Sequence, residues 1–513
     1  MIRSTRSTRS TRSTPATRRT RRLTALAAAL ATSAAVLVPL SAGATLEATV
    51  ITAPSLPTDE AGFAKAVVAF EGGVVPAGAL VSLRDLGVER AIELPSIGAV
   101  AVTVDPAAAD LLGTLPGVVA VEPQRRLVSH LYASKEQINA LGVDQPKSYT
   151  TRVGARKVTG TRPGVSGEGV TVAVLDSGIF AAHPDFGDRV VKGLNFSYAE
   201  AAQQAGFSAA QWDAYAESTG ALALQDEIGH GTHVASTVGG DGSLSESQGG
   251  PDLAGVAPGV SLISMRVATP GFGIADDLDW EEAALAAFDW TIRHREEHGI
   301  DITQNSWGLL PTEPNCLGLD CGEPTDFDAM SEMIASVVDS GVHVVFSAGN
   351  AGPEPGTIGG YHDPANGAVL VGAACKSVDS SGCVAGQQIT DFSSRGAADG
   401  TGPQVDVVAP GDTIMAALSP SVLAPLTECA EIQQPGYFCI SGTSMSSPHV
   451  AGVLALMLEA NPAATPAQAK QCLLSTAVDM MSPGFDIHSG LGMVDTEAAL
   501  TCVHALTATK RGR

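Results

Sequence analysis

The stretch GVTVAVLDSG, residues 169–178, decides the architecture. Its centre is a short apolar, β-branched run closed at both ends by glycine. It is too short for a globular helix and lacks the alternation of a half-exposed strand. Such a run fits a strand buried on both faces of a parallel sheet. Working outward, the same signature returns in VSLISMRV (260–267), IDITQNSWG (300–308), GVHVVFSAGN (341–350), GAVLVGAA (367–374) and VDVVAPG (405–411). Helical segments separate these runs. Residues 276–299 place Leu278, Leu285, Phe288 and Ile292 at helical spacing. Residues 325–341 open on Thr325-x-x-Asp328, read as a capping box, and close at Gly341. Alternating strands and helices predict a doubly wound, mostly parallel α/β domain from about residue 165. In such sheets, functional groups gather at the carboxyl ends of the strands.

Upstream, residues 45–128 differ. They hold no cysteine, and they read as strand-helix-strand-strand-helix-strand, with AKAVVAF, AVAVTVD and GVVAVEP as strands. That order predicts a small ferredoxin-like α+β unit, which exits through a polar linker at Pro123-Gln124-Arg125-Arg126. Residues 1–44 contain eight arginines and no acid, then an apolar run from Leu23 to Leu40 and Ala42-Gly43-Ala44. This is a signal-peptide layout, and the run is short for a spanning helix. Secretion, with no membrane contact in the mature form, is the expectation. The remaining chain carries 22 basic against 54 acidic residues, within an overall formal charge of −24. Such a balance repels nucleic acid and anionic membranes. Eight cysteines (316, 321, 375, 383, 429, 439, 472, 502) behind a signal peptide read as disulfides, with sequence neighbours favoured as partners.

GHGTHVAS (229–236) raises a choice between a metal site and a proton-transfer site. The zinc-peptidase pattern places two histidines on one helical face with a glutamate between them. Here no carboxylate lies between His230 and His233. One histidine is therefore better read as a base in need of partners. Asp176 ends the strand VTVAVLD and is followed by the turn Ser177-Gly178; on that fact alone it is equally a site residue or a cap. Ser444 begins a segment that is apolar nearly all round, hence a central buried helix, with Pro448 in its first turn; alone, Ser444 reads as an N-cap.

Taken together, VAVLDSGI, GHGTHVAS, NSWG, FSAGN, DFSSRG and SGTSMSSPHVAG, in this order over roughly residues 165–500, resemble the subtilisin-like serine proteases. The resemblance implies a subtilisin-like fold and an endopeptidase acting on proteins or peptides through Asp176, His230 and Ser444. Asn350 would serve as an oxyanion donor, and the chemistry needs no cofactor. His233 and His449 are then structural. The resemblance also implies two walls of the primary specificity pocket, Ser306-Trp307-Gly308 and Gly349-Asn350. An edge strand around Gly271 and Gly273 would pair with extended substrate. Leu309 stands where many relatives have a second glycine, and Trp307 is bulkier than usual, which bears on pocket width. Residues 198–227 resemble an insertion near the mouth of the site. Asp185 in HPDF resembles a calcium ligand of the family, but residues 239–252 do not match the loop that would complete the site. Asp185 is therefore read as a solvated acidic turn, with structural calcium compatible but without named ligands. The predicted organisation is signal peptide 1–44, inhibitory propeptide 45–128 and peptidase domain 129–513. A narrow-specificity processing protease and a silent binding protein on the same fold are the alternatives.

Overall fold

The computed structural model describes residues 56–510, apart from 57–62, 124–127, 130–138, 141–142, 154–155, 198–207, 269–280, 309–327, 360–363, 376–387 and 422–433. The signal-like segment, Gly271, Gly273, Leu278, Leu309, Thr325 and four of the cysteines (316, 321, 383 and 429) lie outside the described residues. Among the described residues, no helix is long and apolar enough to cross a membrane.

The chain begins with β1 (Ala64–Phe70), α1 (Ala79–Asp85), β2 (Val88–Leu94), β3 (Ala99–Val104), the single turn α2 (Pro106–Ala109) and β4 (Val118–Pro123). These strands form an antiparallel sheet in the order β2-β3-β1-β4, the ferredoxin-like arrangement expected for the region. Its two central strands, β1 and β3, are buried on both faces. Val68, Val100 and Val102 pack on Leu83 of α1, and Val67, Ile92 and Ala101 join the main core. Next come the short strand β5 (Val128–Ser129) and a hairpin of β6 (Lys147–Val153) and β7 (Arg156–Arg162).

The main domain then follows as β8 (Thr171–Asp176), β9 (Val190–Asn195), α3 (Ala209–Ser218), α4 (His230–Gly239), α5 (Ser243–Ser247), β10 (Ser261–Arg266), α6 (Glu281–His298), β11 (Ile300–Asn305), β12 (Trp307–Gly308), α7 (Ala329–Asp339), β13 (His343–Ser347), β14 (Val369–Ala374), β15 (Val407–Pro410), β16 (Ile414–Ala417), β17 (Tyr437–Ile440), α8 (Thr443–Ala460), α9 (Pro466–Thr476) and α10 (Thr496–Lys510). Seven strands form one sheet in the order β15-β14-β13-β11-β8-β10-β9, with every neighbouring pair parallel. The strand order reverses beside β8, so β8 sits at the topological switch point. Six of the seven strands match the apolar runs in the sequence. The seventh, β9, is a half-exposed edge whose Lys192 and Gly193 hide it from that test.

Three sequence expectations change. α7 is capped by Asp328, whose carboxylate accepts from the amide of Ser331, so the cap lies three residues after Thr325. Pro448 lies in the second turn of α8, where its missing N–H leaves the Ser444 carbonyl without its usual helical donor. Of the described part of the 198–227 segment, α3 packs on β9 and α6 at the sheet edge, with Trp212 buried, and covers a flank of the sheet. Only the end of the segment, at Asp226, returns to the start of α4.

α8 is buried along nearly its whole length, as its apolar sequence requires. Behind it, Cys472 on α9 and Cys502 on α10 form a disulfide spanning 30 residues, and Cys375 and Cys439 are also disulfide-bonded. A closed loop of that length restricts the unfolded chain by about 3–4 kcal/mol in the entropy picture. The Cys472→Ser, Cys502→Ser double variant is expected to lose about that much stability, read as a lower urea midpoint. An unchanged midpoint would contradict it.

Candidate active site

Because all seven strands are parallel, their carboxyl ends share one edge. Asp176 closes β8 there, 5% exposed, beside Arg266 of β10, while Leu175 lies level with Asn305 of β11. Asp176 Oδ1 accepts from the Ser177 amide at 2.7 Å and lies 2.7 Å from His230 Nδ1. His230 is the first residue of α4. Gly229, at φ 86°, turns the chain into that helix in a conformation few other residues adopt. Gly231 explains why a glycine follows the histidine: a Cβ there would sit 2.1 Å from the Gly178 carbonyl oxygen and 3.1 Å from Asp176 Oδ1. The helix start can therefore press against the end of β8 and bring imidazole to carboxylate.

Burial alone would push the His230 imidazole down. The charge of Asp176 and the hydrogen bond to it, with Asp226 behind, outweigh that and hold it above its ordinary value. Nδ1 is engaged by Asp176, whereas Nε2 is buried and has no hydrogen-bond partner among the described residues. The ring is fixed on one side with the other nitrogen left for a proton.

Ser444 is the second residue of α8, which packs side by side with α4. Its Oγ donates to the Ser306 carbonyl at 3.2 Å. In return, Ser306 Oγ donates to the Ser444 carbonyl at 2.7 Å, the carbonyl that Pro448 leaves without a helical donor. Gln304 Nε2 donates to both Ser306 Oγ and Ser447 Oγ at 2.8 Å, so β11 and α8 are locked together. Asn350 follows β13. Its Oδ1 accepts from the amide of Thr443 at 2.9 Å and from its hydroxyl at 3.0 Å, leaving Nδ2 buried without a hydrogen-bond partner among the described residues. Gly349 donates its amide to Thr443 Oγ1. Asp176 and His230 are thus in contact, and Ser306, Gly349, Asn350 and Ser444 gather at the start of α8.

Trp307 departs from the sequence reading. Its ring is turned into the core, 3% exposed, donating Nε1–H to the Leu175 carbonyl at 2.8 Å and packing against Phe288 and Phe346. Its bulk therefore lies in the core, and its backbone pairs with β5. Asp185 is a second correction. It is fully buried, both carboxylate oxygens accept from the Tyr437 hydroxyl, and Oδ1 also accepts from the Leu244 amide. Burial and this carboxylate push the Tyr437 phenol well above its ordinary value. His233, buried and bonded through Nε2 to the Ile414 carbonyl, and His449, bonded to the Met445 carbonyl, are structural as expected.

Sequence reasoning missed Asp226. This buried carboxylate accepts from the amides of Ile228, Gly229 and Thr232 and from the hydroxyls of Ser177 and Thr232. Burial raises its pKa, partly offset by these donors. It caps the start of α4 and ties it to the turn after Asp176. The available signal was an acid four residues before His230 at a helix start.

A parallel sheet carrying an aspartate at the end of an interior strand, a histidine heading one helix and a serine heading another, in that chain order, is the layout of one class of serine peptidase. The chain belongs to the subtilase family, whose sequence model matches residues 167–492, and it is a subtilisin-like serine endopeptidase. Subtilisin E of Bacillus subtilis is 29% identical over 406 residues, covering 79% of this chain and 81% of that protein. Serine protease AprX of the same organism is 28% identical over 347 residues, covering 67% and 69%. The fold is similar to that of fervidolysin from Fervidobacterium pennivorans, a keratinolytic enzyme related to subtilisin, with a TM-score of 0.58 at 22% identity over 88% of this chain and 63% of that one.

Proposed function

We propose that the protein is a secreted serine endopeptidase, made as a self-processing zymogen, in which Asp176, His230 and Ser444 form the catalytic triad. Ser444 Oγ leaves the Ser306 carbonyl and attacks the substrate carbonyl carbon while its proton passes to His230 Nε2. Asp176 holds the opposite ring nitrogen and stabilises the imidazolium. The tetrahedral oxyanion is met by the Asn350 Nδ2 amide and the Ser444 backbone N–H at the start of α8. Collapse breaks the C–N bond, the imidazolium proton goes to the leaving amine, and water hydrolyses the acyl-enzyme by the same route. Each step uses side chains and backbone alone, so no cofactor is required.

The observation that carries this reading is the pairing of β5 with β12. As the chain leaves the small sheet, Val128 and Ser129 pair antiparallel with Gly308 and Trp307. The next residue back on that strand edge is Ser306, whose carbonyl holds the Ser444 hydroxyl. Residues 45–128 would thus act as an inhibitory propeptide whose exiting strand lies along the substrate groove in the β-addition mode. Its seat on the main domain is specific. Arg90 and Lys65 meet the buried Glu282 of α6, Ser96 donates its amide to Asp289, and Glu122 accepts from the Ala329 amide at the start of α7. The signal-like residues 1–44 and the disulfides support export.

Expression of residues 45–513 tests the reading. The parent chain is expected to split within a few residues after Ser129, read by N-terminal sequencing, whereas Ser444→Ala accumulates uncleaved. If both chains stay full length while the parent hydrolyses peptides, residues 45–128 are an ordinary domain.

A further inference from the structure

The last turn of α6 carries His294, Glu297 and His298, and one ligand atom from each lies within 4.8 Å of the others. The spacing i, i+3, i+4 puts all three on one helical face, and two histidines at i, i+4 match the spacing of helical zinc sites. None of the three contributes to the acyl-transfer machinery. α6 runs directly into β11, so this turn lies at the amino end of that strand, whereas Ser306 lies just beyond its carboxyl end.

We infer that His294, Glu297 and His298 form a binding site for a divalent first-row transition ion of the zinc class. Two imidazoles and one carboxylate suit such an ion, which takes imidazole nitrogen and carboxylate oxygen at about 2.0–2.2 Å. The surroundings already contain the outer support that such sites use. His294 Nδ1 faces Glu297 at 3.4 Å, while its Nε2 lies 3.2 Å from Asp213 Oδ2 on α3. A metal taken on Nδ1 leaves Nε2–H to donate to Asp213, the carboxylate–histidine–metal relay that fixes ring orientation. Asp213 is itself held by both terminal nitrogens of Arg293, and Arg293 Nε is held by Asp289. The rings of His294 and His298 stack on Trp290, with centroids at 4.6 and 5.1 Å, which restricts both imidazoles. Lys192, the cation over the Trp290 ring, is paired with Glu217 at 2.9 Å. The negative end of the α6 dipole also favours a cation at this turn. A bound ion would link α3 to α6 through Asp213 and pin the sheet edge. The site stands apart from the catalytic reading.

The test uses the full chain carrying Ser444→Ala, stripped with a chelator and titrated with zinc chloride by calorimetry. One site in the micromolar range is expected. His294→Gln and His298→Gln each abolish it, while Asp213→Asn weakens it about 10- to 100-fold, the range for outer-shell partners. Equal metal-free melting temperatures show that the variants fold. As a second readout, copper(II) quenches Trp290 fluorescence in the parent, and His298→Gln removes that share of the quenching. Absence of micromolar zinc binding, or binding equal in the parent and both histidine variants, overturns the assignment.

Discussion

Ser444→Ala is expected to lower kcat for peptide hydrolysis by about 10⁶, with KM little changed; the size is that known from subtilisin itself. The loss is that large because, in the proposed mechanism, the hydroxyl forms the bond that divides the reaction into two steps. His230→Ala should cost about as much, and the double variant little more, since a nucleophile without its base and a base without its nucleophile are equally idle. Single-turnover measurements on a chromogenic peptide, with protein processed in trans, would read this. Additive losses would mean that the two side chains act separately. The pH profile gives an independent check. In the proposed triad His230 must be neutral to accept the Ser444 proton, and Asp176 holds its pKa above the ordinary imidazole value. The acid limb of kcat/KM should therefore lie above the usual histidine range. A limb below it would contradict the buried Asp176–His230 pair.

The second large effect concerns Asn350. Asn350→Ala is expected to lower kcat by about 10²–10³, or about 2.7–4 kcal/mol, again a scale taken from subtilisin, with binding of a ground-state substrate analogue preserved. Its oxygen is occupied by Thr443 and its amide nitrogen has no partner among the described residues, so the side chain is oriented before substrate arrives. Asn350→Asp is the sharper test. The carboxylate can still accept from Thr443, but it presents a negative charge to a developing oxyanion. It should lose at least as much activity as alanine. A smaller loss for aspartate would make Asn350 a packing residue.

Much of this was legible before any coordinates. Short apolar runs between glycines located six strands because a strand buried on both faces has little choice of side chain. The candidate residues were legible because each sits where such a strand stops or a helix starts. What was hidden depended on distant partners. Trp307 turns inward because a carbonyl 132 residues away, at Leu175, accepts its indole N–H. Asp185 is buried because a tyrosine hydroxyl 252 residues later satisfies it. Asp226 belongs to no motif, and only the convergence of three amides and two hydroxyls separates it from any surface acid. Edge strand β9 was missed for the opposite reason: half-exposure gives it a mixed composition.

The proline in α8 has one more consequence. A helix ordinarily locates each of its residues by reference to its own next turn. Pro448 cancels that reference at Ser444, and Ser306, from the end of β11, supplies another. β11 is also the hydrogen-bonded neighbour of β8, which carries Asp176. The hydroxyl and the carboxylate are thereby measured from one ruler, the shared edge of two adjacent strands. Fraying or tilting at the head of α8 meets a restraint from the sheet, so the alignment of the two groups follows the sheet as well as the helix that bears the serine.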